Sequence, residues 1–234
     1  MTIHMKLISS LSSILTAGGV TLAVTGMPAQ AFNLNMTNTS NNGAVNVAPQ
    51  LTVDVNDIGS GQVEFKFNNT GSVDPASITA VYFGKGSNFS DVFSFDSIVN
   101  SSGVKFSDGA SPKNPGGGIK WNSGFAADAD SPKGFNKNGI DVGESLAIKF
   151  DLNSGFSFTD VEDGFASDDL SIAMHVQSIG GSGGFSDWFQ SNPPVNPPAV
   201  PEPLTFLGSA VALGFGAIFK KEYSKKQNKS KAKA

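Results

Sequence analysis

Residues 146–152, Leu-Ala-Ile-Lys-Phe-Asp-Leu, indicate the fold most directly, because apolar side chains alternate there with small or charged ones. Successive side chains of a β-strand point to opposite faces, so this alternation predicts a strand with one face in a core and one in water. The same period of two recurs at residues 51–55, 63–67 and 170–176. Half-buried strands of this kind are typical of antiparallel sheets.

The rest of the composition favours the same class. Residues 77–83 and 92–98 are weaker strand candidates with apolar residues on both faces, and the 234-residue chain holds 27 Gly and 12 Pro. Gly, Asn, Asp and Ser supply the backbone angles of tight turns. We therefore predict an all-β fold, an antiparallel β-sandwich, over residues 32–189. Sixteen of the 19 Phe lie in the body of the chain and there is no Cys, so a Phe-rich core has to hold the domain without disulfides.

Two segments break the strand pattern. Residues 104–143 are the least regular, and we interpret them as a long loop excursion around Trp121. Thr159 and Glu162 have the spacing of a capping box, which predicts one short helix over about 160–166.

Charge is distributed unevenly along the chain. The region between Phe32 and Ala199 carries 8 Lys against 18 Asp and Glu, a net charge of 8 − 18 = −10, whereas the whole chain has −4. All 16 basic residues are Lys. An acidic body without Arg argues against nucleic-acid binding, because that affinity comes largely from cations on phosphates.

The N-terminal segment predicts export. After Lys6 the chain is uncharged through Gly26, and Ala29-Gln30-Ala31 has the small-x-small pattern that signal peptidase requires. We expect a signal peptide over residues 1–31, with Ala29 and Ala31 defining cleavage before Phe32.

The C-terminal segment has three parts in order. A Pro-rich linker over 190–200 precedes Pro201-Glu202-Pro203, an uncharged apolar run over 204–219 follows, and the tail from Lys220 to Ala234 carries seven Lys. As a helix the run would span roughly 24 Å, short of a ~30 Å hydrocarbon core. We interpret it as a single, marginal transmembrane-type helix with a basic cytoplasmic end.

This C-terminal order resembles the PEP-CTERM sorting signal of exported Gram-negative bacterial proteins. The resemblance implies that an exosortase recognises and processes the segment over residues 201–234, and that the membrane holds the helix only transiently. The Lys-only tail departs from the usually short, Arg-rich cluster of that family. The body, in stretches such as 63–81 and 142–146, also resembles a recurrent domain found ahead of such signals.

Candidate chemistry in the body is sparse. His175 is the only histidine after the predicted cleavage and lies on the polar side of a predicted strand, so a Ser-His-Asp site is unexpected. Acidic clusters at 160–169 and 128–130 match no calcium-loop spacing, and we interpret them as solvated turns. We expect no catalytic residues, no metal site, no cofactor and no enzyme activity.

Sugar binding is the remaining alternative. Tyr82, Trp121 and Trp188 are the large amphipathic aromatics of the body, and Trp121 lies in the Gly- and Asn-rich loop where an exposed ring could stack on a sugar. The leading expectation is a structural or adhesive protein of the cell surface or extracellular matrix. The alternative is an extracellular carbohydrate-binding module, with exopolysaccharide as a candidate partner in either case.

Overall fold

The structure is a computed structural model that describes residues 30–194, except 44, 72–73, 86–88 and 182–183. The predicted motif Pro201-Glu202-Pro203, the predicted helix 204–219 and all but the end of the predicted signal peptide lie outside the described residues. None of the helices within the described ranges has both the length and the apolar character that a membrane span requires.

The described residues form ten strands and three short helical segments. The strands are β1 Ala31–Asn38, β2 Leu51–Gly59, β3 Gln62–Asn69, β4 Ser77–Gly84, β5 Phe93–Asn100, β6 Phe106–Asp108, β7 Ser123–Ala129, β8 Ser145–Leu152, β9 Ser171–Ile179 and β10 Phe185–Ser191. The helical segments are a 3-10 turn Ala48–Gln50, α1 Phe89–Val92 and α2 Phe158–Ala166. The predicted all-β class is confirmed.

All strand pairs are antiparallel, and the strands form one sheet in the order β5-β8-β3-β2-β1-β10-β9-β4-β7-β6 that is nearly closed into a barrel. We call β5-β8-β3-β2-β1 the first half-sheet and β10-β9-β4-β7-β6 the second. Strand β1 joins them, because Ala31 to Asn35 pair with β2 whereas Met36 to Asn38 pair with β10. The two layers expected of a sandwich are therefore continuous through one shared strand.

Side chains close the gap between the edge strands β5 and β6. The Asn100 side chain accepts a hydrogen bond from the Phe106 N–H at 2.8 Å and donates one to the Phe106 carbonyl at 3.2 Å. Further along the gap, the rings of Phe95 and Phe125 stack with centroids 4.7 Å apart. Where the barrel does not close, the Asn100 side-chain amide thus makes the hydrogen bonds that the backbone of a neighbouring strand would make in a closed sheet.

Phenylalanine fills the space between the half-sheets, as the composition predicted. Phe65, Phe67 and Phe150 of the first half-sheet are fully buried, as is Phe83 of the second. The Phe65 and Phe83 rings meet edge to face at 5.0 Å, and Phe150 meets Phe83 at 5.1 Å. Such edge-to-face pairs add stability beyond the area that they bury.

Helix α2 begins earlier than predicted. The Asp160 carboxylate accepts hydrogen bonds from the backbone N–H and the hydroxyl of Ser157, so the capping pair is Ser157 and Asp160 rather than Thr159 and Glu162. The shift brings Phe158 onto the buried side with Val161 and Phe165. Phe158 and Phe165 both contact Phe32 of β1, at 5.7 and 5.8 Å between ring centroids.

Three other predictions need correction. The region 104–143 is not all loop, because it contains β6 and β7. The expected single helix is joined by α1 and the 3-10 turn, since Phe89 turns inward to pack on Phe83 and Phe93. The domain also extends beyond residue 189, because β10 continues to Ser191 inside the predicted linker.

Candidate functional site

The outer face of the second half-sheet carries a compact group of large aromatic side chains, which we call the aromatic face. It comprises Tyr82, Trp121, His175 and Trp188, packed over Ala80, Ala126 and Ala173. The segment 109–122 lies across it, with Ala110 and Ile119 in contact. The sequence singles out Tyr82, Trp121 and Trp188 but does not indicate that they lie in one cluster.

Strand register explains why the aromatic residues converge. Tyr82 lies opposite Ala173 on one side and Ala126 on the other, and His175 lies between Trp188 and Ala80. The alanines leave room above the sheet for rings to lie on it, because their side chains end at Cβ. All eight residues of β4 are buried, because one face of the strand meets the core and the other meets this aromatic cluster.

Trp188 is enclosed between its neighbours. Its ring stacks on His175 with centroids 4.5 Å apart and planes 20° from parallel. A Cβ added at Gly116 would lie 3.0–3.1 Å from ring atoms of Trp188, and one added at Gly117 would collide with its Cβ. The close approach therefore favours glycine at Gly116 and requires it at Gly117, where φ is also +62°.

Trp121, the predicted sugar contact, is half-buried at the edge of the same cluster. Its ring packs against Gly84 at the end of β4, where an added Cβ would lie 2.7 Å from Cε3. The indole N–H is buried and has no hydrogen-bond partner among the described residues. Packing accounts for the position of the ring, and the sugar contact stays a prediction.

Tyr82 fixes the covering segment to the sheet. Its hydroxyl donates a hydrogen bond to the Pro112 carbonyl at 3.0 Å. Burial, and after it the negative charge of Asp128, raises the pKa of Tyr82 to about 12. The phenol therefore stays protonated and remains a donor throughout the physiological pH range.

Asp128 holds a second point of the covering segment. Its carboxylate accepts a hydrogen bond from the Ser111 N–H at 3.1 Å and forms an ion pair with Lys133 at 2.5 Å. Ser111-Pro112 and Ser131-Pro132, which lie on either side of β7, both contain a cis peptide bond. The arrangement ties both flanks of β7 to one carboxylate.

His175 has the surroundings of a packing residue. Burial, and after it the positive charge of Lys133, lowers the pKa of its imidazole, so the ring is neutral at pH 7. Its hydrogen-bonding neighbour among the described residues is the Gln177 amide, 3.5 Å from Nδ1. Its other close partner is the Trp188 ring, and neither neighbour is a nucleophile or a carboxylate.

The outer face of the first half-sheet, which we call the polar face, carries polar side chains that pair with one another. Both oxygens of the Asp54 carboxylate accept amide hydrogen bonds, from Asn33 at 2.7 Å and from Asn68 at 2.9 Å. Beside them lie a Gln62–Asp151 hydrogen bond and a Lys149–Glu64 ion pair. These side chains satisfy one another across neighbouring strands.

The acidic clusters weighed for calcium are dispersed by the fold. Asp160 caps α2, Asp130 pairs with Lys105 at 3.2 Å, and Asp168 pairs with Lys85. Within the described residues no three His, Cys, Asp or Glu side chains are grouped so that they could hold a metal ion.

Asp187 is a buried carboxylate that the sequence analysis missed. Burial alone would raise its pKa, but hydrogen bonds from the Asn42 N–H at 2.6 Å, the Ser40 hydroxyl at 2.8 Å and the Asn38 amide at 3.0 Å hold the pKa below its usual range. The carboxylate fixes the chain that leaves β1. An inward position in a strand that alternates Asp187, Phe189 and Ser191 was the available signal.

Of the residues predicted for processing, the structure describes Ala31, which is the first residue of β1 and pairs with Asn56. Ala29, Pro201, Glu202 and Pro203 lie outside the described residues. Comparison of the chain with protein-family models, curated protein sequences and solved structures finds no match in any of the three.

Proposed function

We propose that this chain is an exported protein whose β domain serves a structural or adhesive role at the cell surface or in the extracellular matrix. Signal peptidase would remove residues 1–31, and an exosortase would process the PEP-CTERM-like segment 201–234. The C-terminal helix would hold the protein in the inner membrane until that step, and the domain would then reach the surface or the medium.

One observation from the fold carries the proposal. The chain enters the domain at Ala31 and leaves it after Ser191, which pairs with Met36 of the same strand, β1. Beyond Ser191 the Asn192 N–H donates to the Asn35 carbonyl at 2.9 Å, so the chain continues toward the start of β1. The chain therefore leaves the domain alongside β1, and the predicted C-terminal helix would tether the domain from there.

The stability of the domain is a second support. An exported protein without disulfides needs a core that persists outside the cell unaided. The edge-to-face Phe contacts between the half-sheets supply such a core. The paired polar side chains and the absence of Arg suit an acidic, soluble surface rather than a nucleic-acid partner.

Fractionation of the native host tests the sorting step. The Glu202→Ala variant should accumulate in the inner membrane, whereas wild-type protein should appear in outer-membrane or extracellular fractions without the Lys220–Ala234 tail. Glu222→Ala is the matched control, because it removes the other acidic residue of the C-terminal segment and leaves the Pro201-Glu202-Pro203 motif intact. Surface protein that retains the tail peptide in mass spectra would contradict the proposal.

A second candidate function, sugar binding, is favoured by the partly exposed ring of Trp121, which could stack on a sugar. Affinity electrophoresis in gels that contain the host exopolysaccharide tests it. Retardation should be lost in Trp121→Ala, which removes the ring that would stack on the sugar. It should persist in Phe185→Ala, which removes a ring that is 58% exposed elsewhere on the domain. Equal mobility of wild type with and without polysaccharide would exclude this function.

A further inference from the structure

We infer that the Ala31–Phe32 peptide bond has to be cut before β1 joins the sheet, so that export processing precedes folding of the domain. The inference rests on the proposed signal peptide. It concerns the timing of the cleavage, which the sequence pattern does not address.

The bond lies inside strand pairing rather than in a free leader. Ala31 pairs with Asn56 and Phe32 with Val55, and the Gln30 carbonyl accepts a hydrogen bond from the Asp57 N–H at 2.9 Å. Sheet pairing therefore begins before the bond and continues after it. A peptidase binds its substrate as an extended chain in its own cleft, and that requires these pairs to separate first.

The side chain after the bond is part of the core. Phe32 is 4% exposed and packs between Phe158 and Phe165 of α2, and Leu34, the next inward residue, is fully buried. To reach an external active site, β1 has to give up its β2 pairing and withdraw Phe32 from α2. In the folded protein, that accessible state is populated only through local opening of β1, which has a free-energy cost.

The product of early cleavage folds without loss of its core. Hydrolysis breaks the bond between the Ala31 carbonyl carbon and the Phe32 nitrogen; water supplies hydroxyl to the carbon and a proton to the nitrogen, leaving a carboxylate and an ammonium group. The domain loses the Ala31 pairing and the Gln30 hydrogen bond, while Phe32, Leu34 and Met36 remain. The domain can thus fold after this bond has been cut, but the bond is shielded if the domain folds first.

The test uses the full-length chain and purified signal peptidase in detergent. The chain is offered either folded or at the moment of dilution from urea, and the products are identified by mass spectrometry. We expect the diluted chain to yield an N-terminal Phe32, and the folded chain to be cut at least about 20-fold more slowly, in line with the rarity of local opening. The cleavable fraction should fall as peptidase is added at later times after dilution, in step with folding followed by Trp fluorescence.

A variant isolates the position of the bond. Insertion of about eight Gly and Ser residues between Ala31 and Phe32 places the cut in a flexible segment outside β1. The folded variant should then be cleaved as fast as the diluted wild type. Equal rates for folded and diluted wild type would overturn the inference and leave the proposed export intact. No cleavage after Ala31 in the diluted chain would overturn the signal peptide itself, and the inference with it.

Discussion

The two outer faces of this sheet differ in the side chains that they carry and in what packs against them. On the polar face, Asp54 and its amide neighbours Asn33 and Asn68 are half-buried and hydrogen-bond to one another. On the aromatic face, Tyr82 and Trp188 lie on a floor of alanines beneath the segment 109–122. This contrast indicates that a strand with apolar residues on both sides, such as β4, is covered on its outer face by a distant part of the chain.

The largest effect should follow from emptying the aromatic face. Trp188→Ala removes the ring between His175 and the Gly116–Gly117 turn, and we expect it to lower the free energy of unfolding by about 3 kcal/mol. Lys66→Ala, an exposed change on the polar face, should alter it by less than about 0.5 kcal/mol. Urea denaturation measures both. Similar values for the two variants would abolish the distinction between the faces.

A smaller effect should come from displacing the cover. Gly117→Ala adds a Cβ that collides with Trp188 in a positive-φ backbone, and we expect a loss of about 2 kcal/mol. Gly109→Ala is the matched control, because Gly109 has a φ of +92° in the same segment but nothing within 4 Å of an added Cβ. The excess loss at Gly117, also measured by urea denaturation, reports contact with Trp188 rather than backbone strain. Equal losses would show that the segment does not press on the ring.

On the polar face, removal of the most connected side chain should cost little. Asp54→Ala breaks two hydrogen bonds to Asn33 and Asn68, but all three groups regain water, so we expect a loss below about 1 kcal/mol. Thermal and urea unfolding provide the measurement. A loss above about 2 kcal/mol would mean that this face is covered in solution.

The smallest expected effect concerns the pH dependence of the free energy of unfolding. Because burial keeps the pKa of His175 below its usual 6.5, the unfolded chain takes up this proton first as the pH falls. The stability that the neutral His175 contributes is complete above the unfolded-state pKa of about 6.5. It is lost as the pH falls from about 6.5 toward the folded-state pKa. His175→Gln should therefore lose less stability than wild type between pH 7 and pH 5 in urea titrations. Parallel curves for the two proteins would contradict the buried, neutral imidazole.

Local alternation predicted much of the fold, since β2, β3, β8 and β9 each have one apolar side. It failed for β7, because Ser123-Gly124-Phe125-Ala126-Ala127 has small residues on both sides and low strand propensity. Strand β1 does alternate at Phe32, Leu34 and Met36, but this signal directly follows the predicted cleavage site.

The candidate site was less predictable than the fold. Tyr82, Trp121 and Trp188 were singled out as individual residues, and their meeting depends on register between strands that are distant in sequence. Gly116 and Gly117 looked like ordinary loop residues, because the local sequence does not indicate that they pack closely against the Trp188 ring. Asp187 was hidden in the same way, since its partners lie almost 150 residues away.

The shared strand β1 also determines how the domain responds to force. The chain enters at the start of β1 and leaves from the end of β10, and these two antiparallel strands are adjacent. Tension between the two chain ends would therefore peel the strands apart one hydrogen bond at a time, since the bonds of an antiparallel ladder lie across the strands. Because the signal peptide is proposed to be removed before folding, the folded domain would be held only through the chain that follows β10, and this tension would not arise.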